Sequence, residues 1–335
     1  MTRISLFFLF FLLSLTTIRA LNTDSLKSYS PHIEGTIRAK YEYNTGLGAY
    51  RFQVRNARFS INGNFSPIIF YKAEIDLSDE GKTKMLDAYI RAIPAKWFTF
   101  TLGQQKIPFS TDNLRSPHYL YFANRSFIGK QITGLRDVGA TAMFINKNII
   151  PCTLQLGIYN GDGLYDQQNW QKEINYTVRL EAFPVKSLEI SLNYNSIQPD
   201  AKRMYYVDAG AYLQTNGWHF DTEFVYKKYE GNFFPDTKAF FVFGAYDIKI
   251  NKPNLLKITP VVRYDIMTNN NKGLATDAGN YVTDHIARSR FTGGVTLSFN
   301  KPFLNDLRLN YEKYFYENNI NNIDDKIVAE LIVRF

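Results

Sequence analysis

The last ten residues, KIVAELIVRF, alternate apolar and polar side chains up to the terminal carboxylate. Ile327, Ala329, Leu331, Val333 and Phe335 fall on one face of an extended strand, with Glu330 and Arg334 on the other. Chain ends are ordinarily polar and frayed unless something ties them down. This one must pair with a neighbouring strand and bury a face.

The same alternation recurs upstream. In HIEGTIRAKYEY, residues Ile33, Ile37, Ala39, Tyr41 and Tyr43 stand against Glu34, Thr36, Arg38, Lys40 and Glu42. IFYKAEIDLS and NYTVRLEAF repeat the pattern, and sixteen such segments centre near residues 37, 57, 73, 89, 101, 141, 156, 178, 191, 209, 222, 243, 262, 295, 310 and 330. An even number suits antiparallel closure with both termini on one side. Tight links such as GNFSP, IPAKW, PVKS and TNGW alternate with long polar ones, among them Thr268 to Ser289. Short turns on one rim and long loops on the other predict a transmembrane antiparallel β-barrel of about sixteen strands. A soluble sandwich also repeats short strands. It would not place aromatic rings at segment ends, as with Trp97, Phe98, Tyr194, Tyr205 and Trp218, where a membrane interface wants them. Closure also explains the ordered terminus, since in lipid every backbone polar group needs a partner.

Composition agrees with export. Residues 1–20, MTRISLFFLFFLLSLTTIRA, join Arg3 to an apolar run too short to span a bilayer and end on Ala20. They predict a cleaved signal peptide, with one barrel domain over residues 21–335. No Cys follows the run, so a lipid anchor is not expected, and the single Cys152 cannot form a disulfide within one chain. The formal charge of +8 is dispersed among acids with no basic block, so no nucleic-acid partner is expected.

Three places fit poorly. The second segment changes phase between Val54 and Ala57, which predicts a late start or a bulge. AFFVFGAYDI, near residue 243, is apolar on both faces, and its register stays open. Pro260 falls in an internal segment, where a missing N–H predicts another bulge.

Five stretches in order, VRNARFSINGNF, YKAEIDLS, LDAYIRAIP, FTLGQQKIPFS and RSFIGKQITGLRDVGA, resemble the phosphate-selective porin O and P family. The resemblance implies a sixteen-stranded trimeric outer-membrane channel for anions, with a long loop folded into the pore and a C-terminal Phe335 read by the insertion machinery. The loop after the fifth strand, Ile107 to Leu135, is the candidate for the constriction. It holds Arg115, Arg125 and Lys130, with Lys106 and Arg136 at its edges and Asp112 against them.

Inward-facing cations would be Arg38, Lys40, Arg58, Lys72, Arg91, Arg179, Arg263 and Arg308. Fixed cations in a narrow, low-dielectric passage focus the field and concentrate anions. Arg holds phosphate oxygens through paired N–H donors and Lys acts as a point charge. The candidate anion site is therefore Arg58, Lys72, Arg91, Lys106, Arg115, Arg125, Lys130 and Arg136. The same face carries Glu34, Glu42, Glu74, Asp76, Asp87, Glu181, Asp221, Glu223, Asp265 and Glu312, so plain wall pairing is the competing account of any one cation. No uninterrupted arginine ladder is visible, and phosphate selectivity does not follow from the sequence.

Catalysis finds little support. His32, His118, His219 and His285 are scattered, and His219 with Asp221 and Glu223 lacks an evident Ser nucleophile. The two acids would also suit a cation site, although wall polarity accounts for them. NGDGLYD, residues 160–166, lacks EF-hand spacing and reads as a Gly-rich loop. No P-loop or dinucleotide fingerprint occurs, so no cofactor is expected. Only about ten residues separate the leader from the first strand, too few for the plug that fills large energised barrels. Passive diffusion of small anionic solutes such as phosphate, by a homotrimer in contact with outer-membrane lipid, is the expected function. The alternative is a non-conducting barrel whose surface loops bind a partner.

Overall fold

The computed structural model describes residues 30–134, 136–164, 167–199, 202–250, 252, 254–274, 283–299, 304–316 and 324–335. The expected leader lies outside them. The strands are β1 His32–Asn44, β2 Ala49–Ser66, β3 Ile69–Asp79, β4 Lys82–Ala95, β5 Phe98–Lys106, β6 Arg136–Asn146, β7 Cys152–Tyr159 and β8 Asn175–Val185. There follow β9 Leu188–Ile197, β10 Met204–Thr215, β11 Trp218–Tyr229, β12 Thr237–Tyr246, β13 Leu255–Met267, β14 Arg288–Phe299, β15 Leu304–Tyr316 and β16 Lys326–Arg334. Beyond Asp247, Ile248–Lys249 continues β12 along the same neighbour.

Each strand pairs antiparallel with the next, and β1 pairs with β16 from Thr36 opposite Arg334 to Asn44 opposite Lys326. The result is a closed sixteen-stranded barrel. The terminal residue takes part, for Gly35 N donates to a carboxylate oxygen of Phe335 at 2.7 Å and Phe335 N to the Gly35 carbonyl at 3.1 Å. A Cβ on residue 35 would stand 2.3 Å from the Phe335 ring, so glycine is what lets that ring lie across β1.

The predicted tight links are two-residue turns at 67–68, 96–97, 186–187 and 216–217. Asn216 and Gly217 both have positive φ, 47° and 84°, as a type I′ hairpin turn requires. The opposite rim carries the long loops 107–135, 160–174 and 268–287. It is not long throughout, since β1 to β2 takes four residues, 45–48, and β3 to β4 takes the two-residue turn Glu80–Gly81. The β1–β4 sector is therefore short-turned at both ends.

Side chains alternate as hydrocarbon outside and water inside demand. On β9, Ile190 and Leu192 face outward while Ser191, Asn193 and Asn195 are buried inside. Aromatic clusters mark both rims. Trp97, Phe98 and Phe144 meet at 5.1–6.5 Å by one short turn, and Tyr41, Tyr50 and Phe52 at 5.0–6.1 Å by the long-loop rim.

The three poor fits resolve differently. In β2 the phase change is a bulge: Arg38 opposes Asn56 and Ala39 opposes Val54, leaving Arg55 as the extra residue. In β12 the register is regular, with Ala239, Phe241, Phe243 and Ala245 inward. At Pro260 the expected bulge is replaced by a gap. The residue pairs with Val295 on one side, while on the other the ladder to β12 stops at Ala245 opposite Val261 and resumes at Ile248 opposite Ile258. The strand interruption at Asp247 falls where proline has no N–H to give.

Placing a cation in the middle of the outward wall tests this assignment of faces. Leu192→Arg should lower folding stability in lipid vesicles by about 2–4 kcal/mol, read from the urea midpoint.

Candidate functional site

The connection from β5 to β6 enters the barrel and crosses it. It contains one short helix, α1 Thr111–Leu114, a 3₁₀ turn at Pro117–Tyr119 and a π turn at Ile128–Ile132; Leu135 lies outside the described residues. The Ser110 hydroxyl caps α1 by accepting from Asn113 N at 3.2 Å. From the wall, Glu223 on β11 accepts from Thr111 N at 3.1 Å and Asp112 N at 3.0 Å. Asp112 joins the outgoing and returning limbs, accepting from Ser126 N at 3.1 Å and Ser126 Oγ at 2.6 Å. Burial pushes its carboxyl up. Arg125, Arg115 and the Ser126 bond outweigh that and hold it below the usual carboxylate range.

One side of this loop is apolar. Phe109, Phe122, Phe127, Ile128 and Ile132 pack with Tyr206, Val225, Phe241, Phe243 and Met267 from the inner faces of β10–β13. That is why β12 is apolar on both faces: one meets lipid and the other meets the loop. Polar tethers surround this patch. Arg263 reaches the Asn124 carbonyl at 3.1 Å, Arg290 the Arg125 carbonyl at 2.7 Å, and Asp265 accepts from Phe127 N at 3.2 Å. His219 Nδ1 lies 2.8 Å from the Tyr121 hydroxyl and 2.9 Å from that of Tyr212, with Nε2 3.2 Å from Asp247. Asp221 pairs with Arg115 at 2.7 Å. The row His219, Asp221 and Glu223 thus anchors the loop, and each member is committed to it.

Docking on β10–β13 leaves open the rest of the lumen, lined by β1–β6 together with Arg290, Tyr314, Lys326 and Arg334 of β14–β16. Two cavities occupy it, an inner one of about 300 Å³ and an outer one of about 220 Å³. Arg58 and Pro117 line both, which makes them the neck. Nine cations and two carboxylates, Glu42 and Glu80, line the outer cavity. Six cations and three carboxylates, Glu34, Glu74 and Asp87, line the inner one. Paired acids behind the wall moderate this excess. His118, also on the inner cavity, is lowered to about 4 by burial and by Arg334, and is neutral at pH 7.

Of the sequence candidates, Arg58, Lys72, Arg91, Lys106 and Arg136 come together around the inner cavity, and Arg125 and Lys130 line the outer one. Arg115 turns to the far wall and Asp221. Most are paired. Arg58 meets Asp76 at 2.9 Å, Lys72 meets Glu74 at 2.6 Å and Asp87 at 3.0 Å, and Arg136 also bonds Asp87. Arg125 donates to the Asp112 and Arg115 carbonyls, and Lys130 is exposed, 3.9 Å from Glu80. Lys106 donates to the Asn113 and Leu114 carbonyls at 2.6 and 3.2 Å, supporting the end of α1. Arg91 bonds Thr101 Oγ1 at 3.1 Å and the Tyr89 hydroxyl at 3.4 Å, with no carboxylate within 4.0 Å among the described residues.

Arg179, Arg263 and Arg308 are wall residues, paired with Glu181, Asp265 and Glu330 at 2.7–2.8 Å. The sequence reading missed Arg51, Arg55, Arg290 and Lys326, all on the outer cavity. The bulge accounts for the first two: above it the odd residues of β2 face inward and below it the even ones, so Arg51, Arg55 and Arg58 share the lumen wall. Arg290 and Lys326 reach the cavity from β14 and β16 through closure of the barrel.

A family model described as phosphate-selective porin O and P matches residues 38–232. Among curated proteins, none matches in sequence. Solved structures share the fold. OmpT of Vibrio cholerae, an outer membrane protein in trimer form, aligns with TM-score 0.61 at 11% identity over 92% of this chain and 99% of that one. An anion-selective porin from Comamonas acidovorans aligns with TM-score 0.61 at 10% identity over 91% and 98%. The outer membrane channel DcaP of Acinetobacter baumannii gives 0.59 at 13% over 92% and 98%.

The anchoring of the loop is testable at one wall residue. Glu223→Ala removes the acceptor for two N–H groups of α1 and should weaken docking by about 1–2 kcal/mol, seen as larger and noisier unitary currents.

Proposed function

This chain belongs to the phosphate-selective porin O and P family, passive outer-membrane channels, and we propose that it passes small oxyanions of the phosphate type in preference to cations. The observation that carries this is the neck and its approach: Arg51, Arg55 and Arg58 follow one another down β2 into an outer cavity with nine cations against two carboxylates. Such a wall raises the local anion concentration. Guanidinium forks match oxyanion geometry. Each fork already holds a carboxylate, Arg51 with Glu42, Arg55 with Asp79 at 2.6 Å and Arg58 with Asp76 at 2.9 Å, so a passing anion competes with the wall. Shared, individually weak sites let the ion leave as readily as it enters.

The resident assembly we infer is a homotrimer, in keeping with the trimeric Vibrio cholerae relative. Maturation would remove residues 1–20, giving a chain that begins at Leu21.

Reversal potential under a KCl gradient in a planar bilayer tests the anion preference, with block by added phosphate testing the oxyanion class. Arg58→Ala should cut the anion-to-cation permeability ratio by about 3–10-fold. It removes a cation and leaves Asp76 at the neck, still held by Asn56 Nδ2 at 2.6 Å and Ala57 N at 2.9 Å. Arg115→Ala, on the loop but turned to Asp221 of the far wall, should change the ratio less. Equal permeability in the unaltered protein would sink the anion reading while leaving a porin.

A further inference from the structure

A third cavity, of about 920 Å³, opens between the returning limb of the loop and the connections after β7, β9 and β13. It borders the passage, since Arg136 also lines the inner cavity and Lys130 and Gln131 also line the outer one. Its chemistry differs from theirs. Ile132, Ile197, Met204 and Tyr206, none more than 4% exposed, give it an apolar floor that the passage lacks. Trp170, 98% exposed, stands at its edge.

Lys227 is set among these apolar groups and is 1% exposed. Its ammonium donates to Asn270 Oδ1 at 3.0 Å and to the Asn271 carbonyl, and lies 4.7 Å and 5.2 Å from the ring centroids of Tyr229 and Tyr206. Among the described residues no carboxylate comes within 4.0 Å of it. Arg179 and Arg308, buried to the same degree, each hold a carboxylate. Asp284 is the carboxylate that acts on Lys227, from beyond 4.0 Å, and a desolvated charge with no counter-charge in contact is costly. An anion entering the cavity would supply one.

We propose that this vestibule binds small organic anions with an apolar body, aromatic or branched monocarboxylates, before they enter the passage. The carboxylate meets Lys227, and the hydrocarbon covers Ile197 and Met204. An apolar floor with a few buried polar groups, in a pocket of this size, is a usual form of small-molecule site, and here the rim above it is polar and of mixed charge, with Lys172 and Lys272 alongside Asp162 and Glu173. The neighbouring Lys130 and Arg136 then offer the anion its next positions. The inference requires an open channel, as read above, but not a preference for phosphate.

Single-channel current of the full chain tests it, with phenylacetate or acetate added on the long-loop side. Phenylacetate should interrupt chloride current at a concentration about tenfold or more below that of acetate, the difference being burial of its ring. Lys227→Met should raise the blocking concentration of phenylacetate about tenfold, and Met204→Gln should bring the two acids closer together. Equal block by both acids, or phenylacetate block unaltered in the two variants, overturns the proposal. Should Lys227→Met fail to insert, Met204→Gln decides. Reversal potentials in the same records separate the two readings. Anion-selective channels without a phenylacetate preference overturn the vestibule alone, whereas no channels at all overturns the porin reading and this one with it.

Discussion

Everything in this barrel depends on one requirement: in hydrocarbon no backbone N–H or carbonyl can be left without a partner. A sheet satisfies that only by closing, and the ladder from Thr36–Arg334 to Asn44–Lys326 closes it. Closure fixes the alternation of faces. The alternation in turn forces charged side chains inward, where they must be paired or reach water. The paired networks, such as Arg38 with Glu330 at 2.6 Å and Arg290 with Asp265 at 3.2 Å, follow from that confinement. They neutralise most of the wall and leave a surplus of positive charge on one side.

That side is set by the loop. Its aromatic face packs on an apolar patch of the inner wall formed by Tyr206, Val225, Phe241, Phe243 and Met267 of β10–β13, and its backbone polar groups are met by the buried polar side chains around that patch. The channel is what remains. Its charge is therefore that of β1–β6, the loop's free edge and the cations of β14–β16, and the acids Asp208, Asp221 and Glu223, all on β10 and β11, lie behind the docked loop. A lumen balanced overall becomes a passage that is locally basic.

Much of this was legible beforehand. Sixteen strands, their tight links and the closing terminus all follow from period-2 alternation, which a barrel wall expresses without interruption. What escaped depended on contacts between distant segments. Phe241 and Phe243 gave no sign of a loop partner, and their two-sided apolar strand looked unassigned. Arg115 and Arg125 stand ten residues apart in one basic loop, yet one is sequestered by Asp221 across the lumen and the other borders the passage. Arg290 and Lys326 belong to the outer cavity only because the barrel closes β14–β16 against β1.

The bulge in β2 has a further consequence for how such a wall varies. A regular strand offers the lumen one side chain in every two, so adding a charge means replacing a residue already there. Arg55 and Asn56 instead point inward as sequence neighbours, because the chain is one residue longer than its partner at that level. Removing Arg55 would restore plain alternation, with Asn56 and Gln53 still inside. The charge density of the passage is thus adjustable through strand length, a change that leaves every lipid-facing residue where it was.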